Sequence, residues 1–258
     1  MRFVPFVPSI TALVVGVASP AWAITNGSSD GNRHPEVGAL IASKAYGDGT
    51  WAYCTGTLIS PTVFLTAAHC GEPRQKTARV SFSSHYQTGA QVYVGRYVPD
   101  SRYRAKADLY DMAVVVFPTA IPNIKPAKLP VAGMLDQLKA DNSLKTTKFT
   151  PVGFGSLTPT KGPRGRNKFT YTDRRAKTSI SFHSLTSAWL ELSLNSKGDG
   201  SSCYGDSGGP NFLGGATSDL LVATSISGDD DACKATNYDY RLDTTSARHF
   251  LGKFVTLP

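Results

Sequence analysis

The chain has 258 residues, of which 41% are hydrophobic and 18% are charged, and its formal net charge is +8. This composition excludes a disordered chain and a chain made mainly of membrane spans. The length suffices for one large all-β domain or two smaller lobes with a substantial core.

The N-terminal 23 residues have the pattern of a secretory signal. Arg2 supplies a positive charge, Ile10 to Ala18 are apolar or small, and Ala21-Trp22-Ala23 fits a signal peptidase site. The apolar run is too short for a stable membrane anchor, and prolines interrupt it. We therefore predict a signal peptide over residues 1–23, cleavage near Ala23, and secretion to an extracellular or periplasmic space.

The remaining chain alternates short β-prone runs with turn signals. This spacing predicts a sandwich or barrel of antiparallel strands and not βαβ units. The predicted strands are Val37 to Ile41, Thr57 to Ile59, Val63 to Thr66, Ala78 to Phe82, Gln91 to Val98, Met112 to Phe117, Lys148 to Phe154, Thr178 to His183, Ala188 to Leu194 and Leu220 to Ile226.

Two segments depart from the strand pattern. The stretch from Asn123 to Lys145 has few strand signals and is predicted to link two halves of the chain. At the C-terminus, Thr245 or Ser246 is predicted to cap a helix. Its apolar face would comprise Phe250, Leu251, Phe254 and Val255.

Four cysteines are present, and in an exported chain they indicate two disulfides. Sequence alone permits three pairings, of which Cys54 with Cys70 and Cys203 with Cys233 closes the shortest loops. A zinc site is the alternative, but no cysteine pair has zinc-finger spacing and the histidines are scattered. We expect no metal and no cofactor.

Three local motifs carry residues suited to nucleophilic catalysis. They are Thr66-Ala67-Ala68-His69-Cys70, Asp111-Met112-Ala113-Val114 and Gly205-Asp206-Ser207-Gly208-Gly209-Pro210. A serine hydroxyl needs a neighbouring base to become nucleophilic, and histidine serves because its pKa lies near neutrality. A buried carboxylate can hold the imidazole in the required tautomer.

Each motif alone has an ordinary structural explanation. His69 could be a buried core histidine, Asp111 a turn residue, and the glycine-rich segment a bare turn. The three together, with one cysteine beside His69 and another just before Gly205, favour a catalytic triad.

These motifs resemble the signatures of the trypsin and chymotrypsin family. The resemblance covers the mature chain and is looser between Asn123 and Gly200. It implies one protease domain over residues 24–258, built as an all-β double six-stranded antiparallel β-barrel with a C-terminal α-helix. The boundary between the two lobes would lie near residues 123–145.

The resemblance also implies roles for particular residues. His69 would be the general base, Asp111 its orienting partner and Ser207 the nucleophile of a serine endopeptidase. The backbone N–H groups of Gly205 and Ser207 would form the oxyanion hole. The disulfides implied by the resemblance are Cys54–Cys70 behind the histidine and Cys203–Cys233 beside the specificity pocket.

Activation in this family uses a new N-terminus, whose ammonium group pairs with the aspartate before the nucleophile. Here Ile24 resembles that terminus and Asp206 that aspartate, although Thr25 and Asn26 replace the usual Val and Gly. Since Ile24 follows the signal site directly, we predict that signal peptidase creates the activating terminus. Trimming by a second protease is the alternative.

The resemblance places Ser201 at the floor of the primary pocket, with Ser225 on the substrate-binding strand. A neutral floor disfavours strict cleavage after Arg or Lys, and the side chain of Ser227 would narrow the pocket. We therefore predict a chymotrypsin-like or small apolar preference at P1, the residue before the scissile bond. The acids Asp229, Asp230 and Asp231 are predicted to form a solvated loop.

Other functions fit the sequence less well. A Gly-x-Ser-x-Gly pattern at Ser207 also occurs in α/β-hydrolases, but those enzymes need a parallel sheet and a later catalytic histidine. An inactive homologue acting as a binding module would be expected to lose a triad residue. Export and the lack of interleaved aromatic and basic motifs argue against nucleic-acid binding.

Expected partners are polypeptide substrates and protein inhibitors, and the chain is expected to be a monomer. The segment from Lys161 to Lys177 is strongly basic and is predicted to be a solvated loop, with an exosite for acidic substrates or polyanions as the alternative.

Overall fold

The computed structural model describes residues 24–105, 108–194 and 197–258. The predicted signal segment, residues 1–23, lies outside the described residues. Strands dominate the structure. In chain order they are β1 (Ser28–Ser29), β2 (Val37–Ile41), β3 (Ala52–Ser60), β4 (Val63–Thr66), β5 (Thr77–Ser81), β6 (Tyr93–Pro99), β7 (Ala113–Val116), β8 (Lys148–Gly153), β9 (Thr160–Lys161), β10 (Asn167–Lys168), β11 (Ala176–Lys177), β12 (Ile180–Leu185), β13 (Trp189–Ser193), β14 (Pro210–Leu213), β15 (Leu221–Gly228) and β16 (Asn237–Arg241).

The first half of the chain closes into a six-stranded antiparallel barrel in the order β2-β3-β4-β7-β6-β5. Burial alternates along part of β6, as it does in a strand with one face on the core. The barrel interior is aliphatic and aromatic, and Leu40, Leu58, Phe64 and Val114 have no exposed surface. Closure leaves this sheet without unpaired edges.

The second half forms another six-stranded ring in the order β8-β12-β13-β16-β15-β14, closed by pairing of β14 with β8. A separate core lies within it and includes Phe149, Ile180, Leu190 and Val222. The predicted double six-stranded β-barrel is therefore confirmed. The chain between β7 and β8 contains helix α1 (Met134–Ala140) and connects the two barrels.

The start of the described chain is tied to the second barrel, because β1 pairs with β11 and β11 with β8. Beside this pairing, Asp30 and Arg175 form a salt bridge of 3.0 Å between two fully buried side chains. Lys177 lies 3.4 Å from the same carboxylate. The prediction of one solvated basic loop from Lys161 to Lys177 is thus wrong at its C-terminal end, where two bases neutralise a buried acid.

Among the described residues there are two α-helices, α1 and α2 (Thr245–Leu251), and neither is long and apolar enough to cross a bilayer. The C-terminal helix was predicted, but its cap is Thr244, whose hydroxyl accepts a hydrogen bond from the backbone N–H of Ala247. The helix ends at Leu251, so Phe254 and Val255 lie beyond it. They still pack on the core, and Phe254 contacts the ring of Phe250.

Candidate active site

His69 and Asp111 meet at one end of the first barrel. The Nδ1 atom of His69 lies 2.6 Å from Oδ2 of Asp111, and the backbone N–H of His69 donates to Oδ1 at 2.9 Å. Asp111 is fully buried, whereas a third of the His69 side chain is exposed. The carboxylate therefore holds Nδ1 in place, and Nε2 makes no hydrogen bond among the described residues.

Several contacts fix the turn that carries His69. The residue sits in a short 3-10 turn, Ala68–Cys70, directly after β4. The hydroxyl of Tyr97 reaches the carbonyl oxygens of Ala67 and Ala68 at 3.0 and 2.9 Å. A side chain at Gly71 would clash with the Tyr97 ring, so the glycine lets the tyrosine support the turn.

Two disulfides brace the candidate site. Cys54 in β3 is bonded to Cys70, and Cys203 is bonded to Cys233. Both pairings are those implied by the family resemblance. The sulfur atoms of Cys54 and Cys70 lie close to a ring nitrogen of His69, but disulfide sulfur lacks the thiolate that a metal ion would need.

Ser207 lies in a tight loop between the disulfide at Cys203 and strand β14. Within the loop, the N–H of Asp206 donates to the carbonyl of Cys203, and the N–H of Gly209 donates to the carbonyl of Asp206. Gly208 has a φ of 77°, and a side chain there would clash with the backbone of Ala67. This glycine therefore lets the Ser207 loop of the second barrel approach the histidine segment of the first.

The backbone N–H groups of Gly205 and Ser207 make no hydrogen bond within the described part of the chain. Their neighbours Asp206, Gly208 and Gly209 all donate to backbone carbonyls. Two unused donors, one on each side of Asp206, have the composition of an oxyanion hole.

His69 and Ser207 line one cleft, whose cavity volume is about 590 Å³. The cleft lies where the two barrels meet. Both barrels contribute to its wall, which comprises Tyr53, Cys54, His69, Cys70, Glu72, Tyr171, Ser202, Cys203, Tyr204, Gly205, Ser207, Ser225, Ile226, Ser227, Gly228, Asp230, Cys233, Thr236 and Asn237.

The residues proposed for the primary pocket fall into two groups. Ser225 and Ser227 line the cleft, but Ser201 has no exposed surface and is not part of the wall. Its hydroxyl contacts Oδ1 of Asn237 at 2.8 Å, and Asn237 does line the cleft. Ser201 therefore influences the cleft through Asn237.

A polar network lies behind Ser225. Its hydroxyl is 3.2 Å from that of Ser202 and accepts a hydrogen bond from Asn211 Nδ2 at 3.0 Å. Asn211 also donates to Oδ1 of Asp239 at 2.7 Å. Burial raises the pKa of Asp239 to about 8, so this carboxyl is mostly neutral at pH 7.

Asp206 and Ile24 bind neighbouring residues of one backbone segment, Gly155 and Ser156. The carboxylate of Asp206 accepts hydrogen bonds from the N–H groups of Gly155 and Cys203, both at 2.8 Å. Ile24 is buried, and its N–H donates to the carbonyl of Ser156, the residue after Gly155. Burial raises the pKa of Asp206 to about 7, and among the described residues no cation pairs with it.

Sequence reasoning missed four residues that shape this site. Tyr171, Tyr204 and Asn237 line the cleft, and Tyr97 supports the histidine turn. Each lies outside the three motifs. For Tyr97 the sequence contains one indirect signal, which is the glycine at position 71 directly after the TAAHC motif. A residue without a side chain at that position leaves room for an aromatic ring against the histidine turn.

Comparisons with known proteins agree with this architecture. A trypsin from Phaedon cochleariae is 28% identical over 179 residues, which is 63% of this chain and 65% of that protein. A solved structure described as HL collagenase superposes with a TM-score of 0.67 at 22% identity, over 89% of this chain and 97% of that one. The model of the trypsin family matches residues 27–250. The chain therefore belongs to the trypsin family of serine proteases.

Proposed function

We propose that the chain is a secreted serine endopeptidase that uses His69, Asp111 and Ser207 as its triad. The observation that carries the proposal is the 2.6 Å contact between His69 Nδ1 and buried Asp111, beside a cleft that also contains Ser207. A histidine anchored at Nδ1 has Nε2 available to take a proton from a hydroxyl.

The proposed mechanism gives each of these groups one role. Ser207 Oγ attacks the scissile carbonyl while His69 accepts its proton, and the carbonyl oxygen becomes an oxyanion. The free N–H groups of Gly205 and Ser207 would donate to that oxyanion. His69 then protonates the leaving amine, and water hydrolyses the acyl-enzyme by the same steps in reverse.

A fluorophosphonate probe tests the nucleophile. We expect the mature chain to be labelled at Ser207, because the probe reacts with a serine that has an adjacent base and oxyanion donors. Peptide mapping by mass spectrometry identifies the labelled residue. The His69→Ala chain should label far more slowly, since its serine lacks a base. No labelling of the folded chain would favour an inactive homologue that acts as a binding module.

We also propose a neutral P1 residue, either large and apolar or small. The polar atoms of the cleft wall near Asn237 are hydroxyl and amide groups, and Asp239 behind them is mostly protonated. The carboxylate of Asp230 lies at the exposed rim and accepts hydrogen bonds from the N–H groups of Lys234 and Ala235.

A fluorogenic peptide series that differs only at P1 tests this preference. We expect kcat/KM with Phe, Leu or Ala at P1 to exceed that with Lys or Arg by more than about 100-fold, because a buried cation without a counter-charge is costly. Equal or better cleavage after Lys or Arg would contradict the proposal and would point to Asp230 or Asp239 as a counter-ion.

Activation is proposed to follow export. Removal of residues 1–23 would give Ile24 a charged ammonium group, and its nitrogen already lies 3.1 Å from Ser156, next to the Asp206 site. A cation there would compensate the buried carboxylate. The two disulfides support an oxidising destination such as the extracellular space or periplasm.

A further inference from the structure

The strands β9 and β10 form a hairpin that carries four positive side chains. Residues 156–170 contain Lys161, Arg164, Arg166 and Lys168 and no acid. All four bases are exposed. Within the described part of the chain none of them forms an ion pair. The ammonium group of Lys161 donates a hydrogen bond to the amide oxygen of Asn167. We call residues 157–170 the basic hairpin.

The basic hairpin is rooted at the wall of the catalytic cleft. The N–H of Leu157 donates to the carbonyl of Thr170 at its foot. Phe169 packs edge-on against Tyr204, with ring centroids 4.7 Å apart, and Tyr204 lines the cleft. The next wall residue, Tyr171, lies 3.5 Å from the position that a Cβ would take on Gly205.

The hairpin geometry presents the charges outward. Asn167 pairs with Lys161 and Lys168 with Thr160, so two bases flank the ladder. Arg164 sits at the tip between Pro163 and Gly165, with a φ of 59°. Four like charges on so short a hairpin repel one another, and no local acid offsets that repulsion.

Nearby acids have other partners. Asp231 accepts a hydrogen bond from the Tyr204 hydroxyl at 2.7 Å, and Asp230 accepts from the N–H groups of Lys234 and Ala235. Within the described residues no ion pair joins these acids to the four bases of the hairpin. In this part of the chain the hairpin bases therefore have no ionic partner of their own.

We propose that the basic hairpin is a docking surface for acidic segments of polypeptide substrates, which it draws toward the catalytic cleft. This inference rests on the proposed peptidase function, because a substrate chain in the cleft passes the aromatic foot of the hairpin. Exposed charge acts at long range in dilute salt, and such fields raise association rates by about 10- to 1000-fold. The effect is screened when the Debye length falls to about 3 Å at 1 M salt.

The test compares three peptides with one scissile sequence and flanks that are acidic, neutral or basic. We expect kcat/KM for the acidic-flank peptide to exceed that for the neutral one by about tenfold at 0.01 M salt, and the ratio to approach one at about 1 M salt. The R164E/R166E chain should lose or invert this preference. It should still cleave the neutral-flank peptide at the original rate, because neither arginine lines the cleft.

Matched variants separate local charge from net charge. K145E/K253E makes the same change in net charge at two exposed lysines outside the cleft wall, and it should keep the acidic preference. R164K/R166K should keep it as well, because it retains both charges. An unchanged preference in R164E/R166E, or no preference in the original chain at low salt, would overturn the proposal.

Failure of this inference is distinguishable from failure of the peptidase function. Cleavage of the neutral-flank peptide without an acidic preference refutes only the docking surface. If no peptide is cleaved, fluorescence anisotropy of a labelled acidic-flank peptide still measures binding, and the expected result is weaker binding by R164E/R166E than by K145E/K253E. Retention on heparin that depends on the two arginines, without any peptide preference, would assign the hairpin to polyanions instead.

Discussion

Replacement of Ser207 by alanine is expected to lower kcat for a good peptide substrate by about 10⁶-fold. The hydroxyl is the proposed nucleophile, and the residual rate would come from binding and the oxyanion donors alone. Steady-state hydrolysis of a fluorogenic peptide measures the loss, with circular dichroism to show that the variant is folded.

Ser202→Ala is the matched control for this prediction, because Ser202 lines the same cleft. We expect it to change kcat by less than about tenfold, since its hydroxyl contacts Ser225 and belongs to no triad motif. Combining Ser207→Ala with His69→Ala should add little to the single loss, because residues that act as a unit are not additive. A large residual rate in Ser207→Ala would refute the proposed mechanism.

A chain that retains Ala23 at its N-terminus is expected to be 10²- to 10³-fold less active than a chain that begins at Ile24, by analogy with the loss of an oxyanion donor at about that magnitude. The extension removes the ammonium group from Ile24, so Asp206 stays buried without a cation and the loop from Cys203 to Ser207 loses a stabilising partner. Hydrolysis rates and fluorophosphonate labelling of the two purified chains measure the difference.

The pH dependence gives a second readout of the same prediction. Pairing with Asp206 would raise the pKa of the Ile24 ammonium group above its ordinary value of about 8. Stabilisation from the pair is therefore present at neutral pH and is lost as pH rises through that raised pKa, so activity should fall on the alkaline side. Asp206→Asn should abolish this alkaline loss. Full activity of the extended chain would contradict the activation proposal.

The local motifs were readable from sequence because their chemistry lies in short segments. TAAHC and GDSGGP place a histidine and a serine in tight turns, and strands such as β2 and β4 are short β-prone runs with the bounds predicted. Pairing of the cysteines followed from resemblance, and the structure contains the same two bonds.

Two of the strands that sequence reasoning missed, β14 and β16, contain polar residues that are buried with partners. Strand β16 contains Asp239 and Arg241, both buried, and no period-two pattern of apolar residues marks it. Arg241 is satisfied by Asp243, two residues further along the chain, and by Asp136, which is 105 positions away. Strand β14 begins with a proline, which ordinarily disfavours a strand assignment.

Dependence on partners that are distant in sequence also explains why Asn237 and the buried pair of Asp30 and Arg175 were not predicted. Asn237 reaches the cleft only because β16 pairs with β15, so its neighbours are set by register. Arg175 lies in a run of bases that looks solvated, and only the fold brings Asp30 beside it across 145 positions. Long-range partners of this kind carry no local pattern.

The backbone of Thr25 exchanges two hydrogen bonds with that of Ser201, at 3.0 and 3.1 Å. Thr25, the second residue of the proposed mature chain, is thereby hydrogen-bonded to Ser201, which contacts Asn237 of the cleft wall. An exopeptidase that removed Ile24 and Thr25 would remove these two hydrogen bonds together with the ammonium group of Ile24. Loss of these two residues would therefore weaken the backbone support of the cleft wall and remove the proposed partner of Asp206 at the same time.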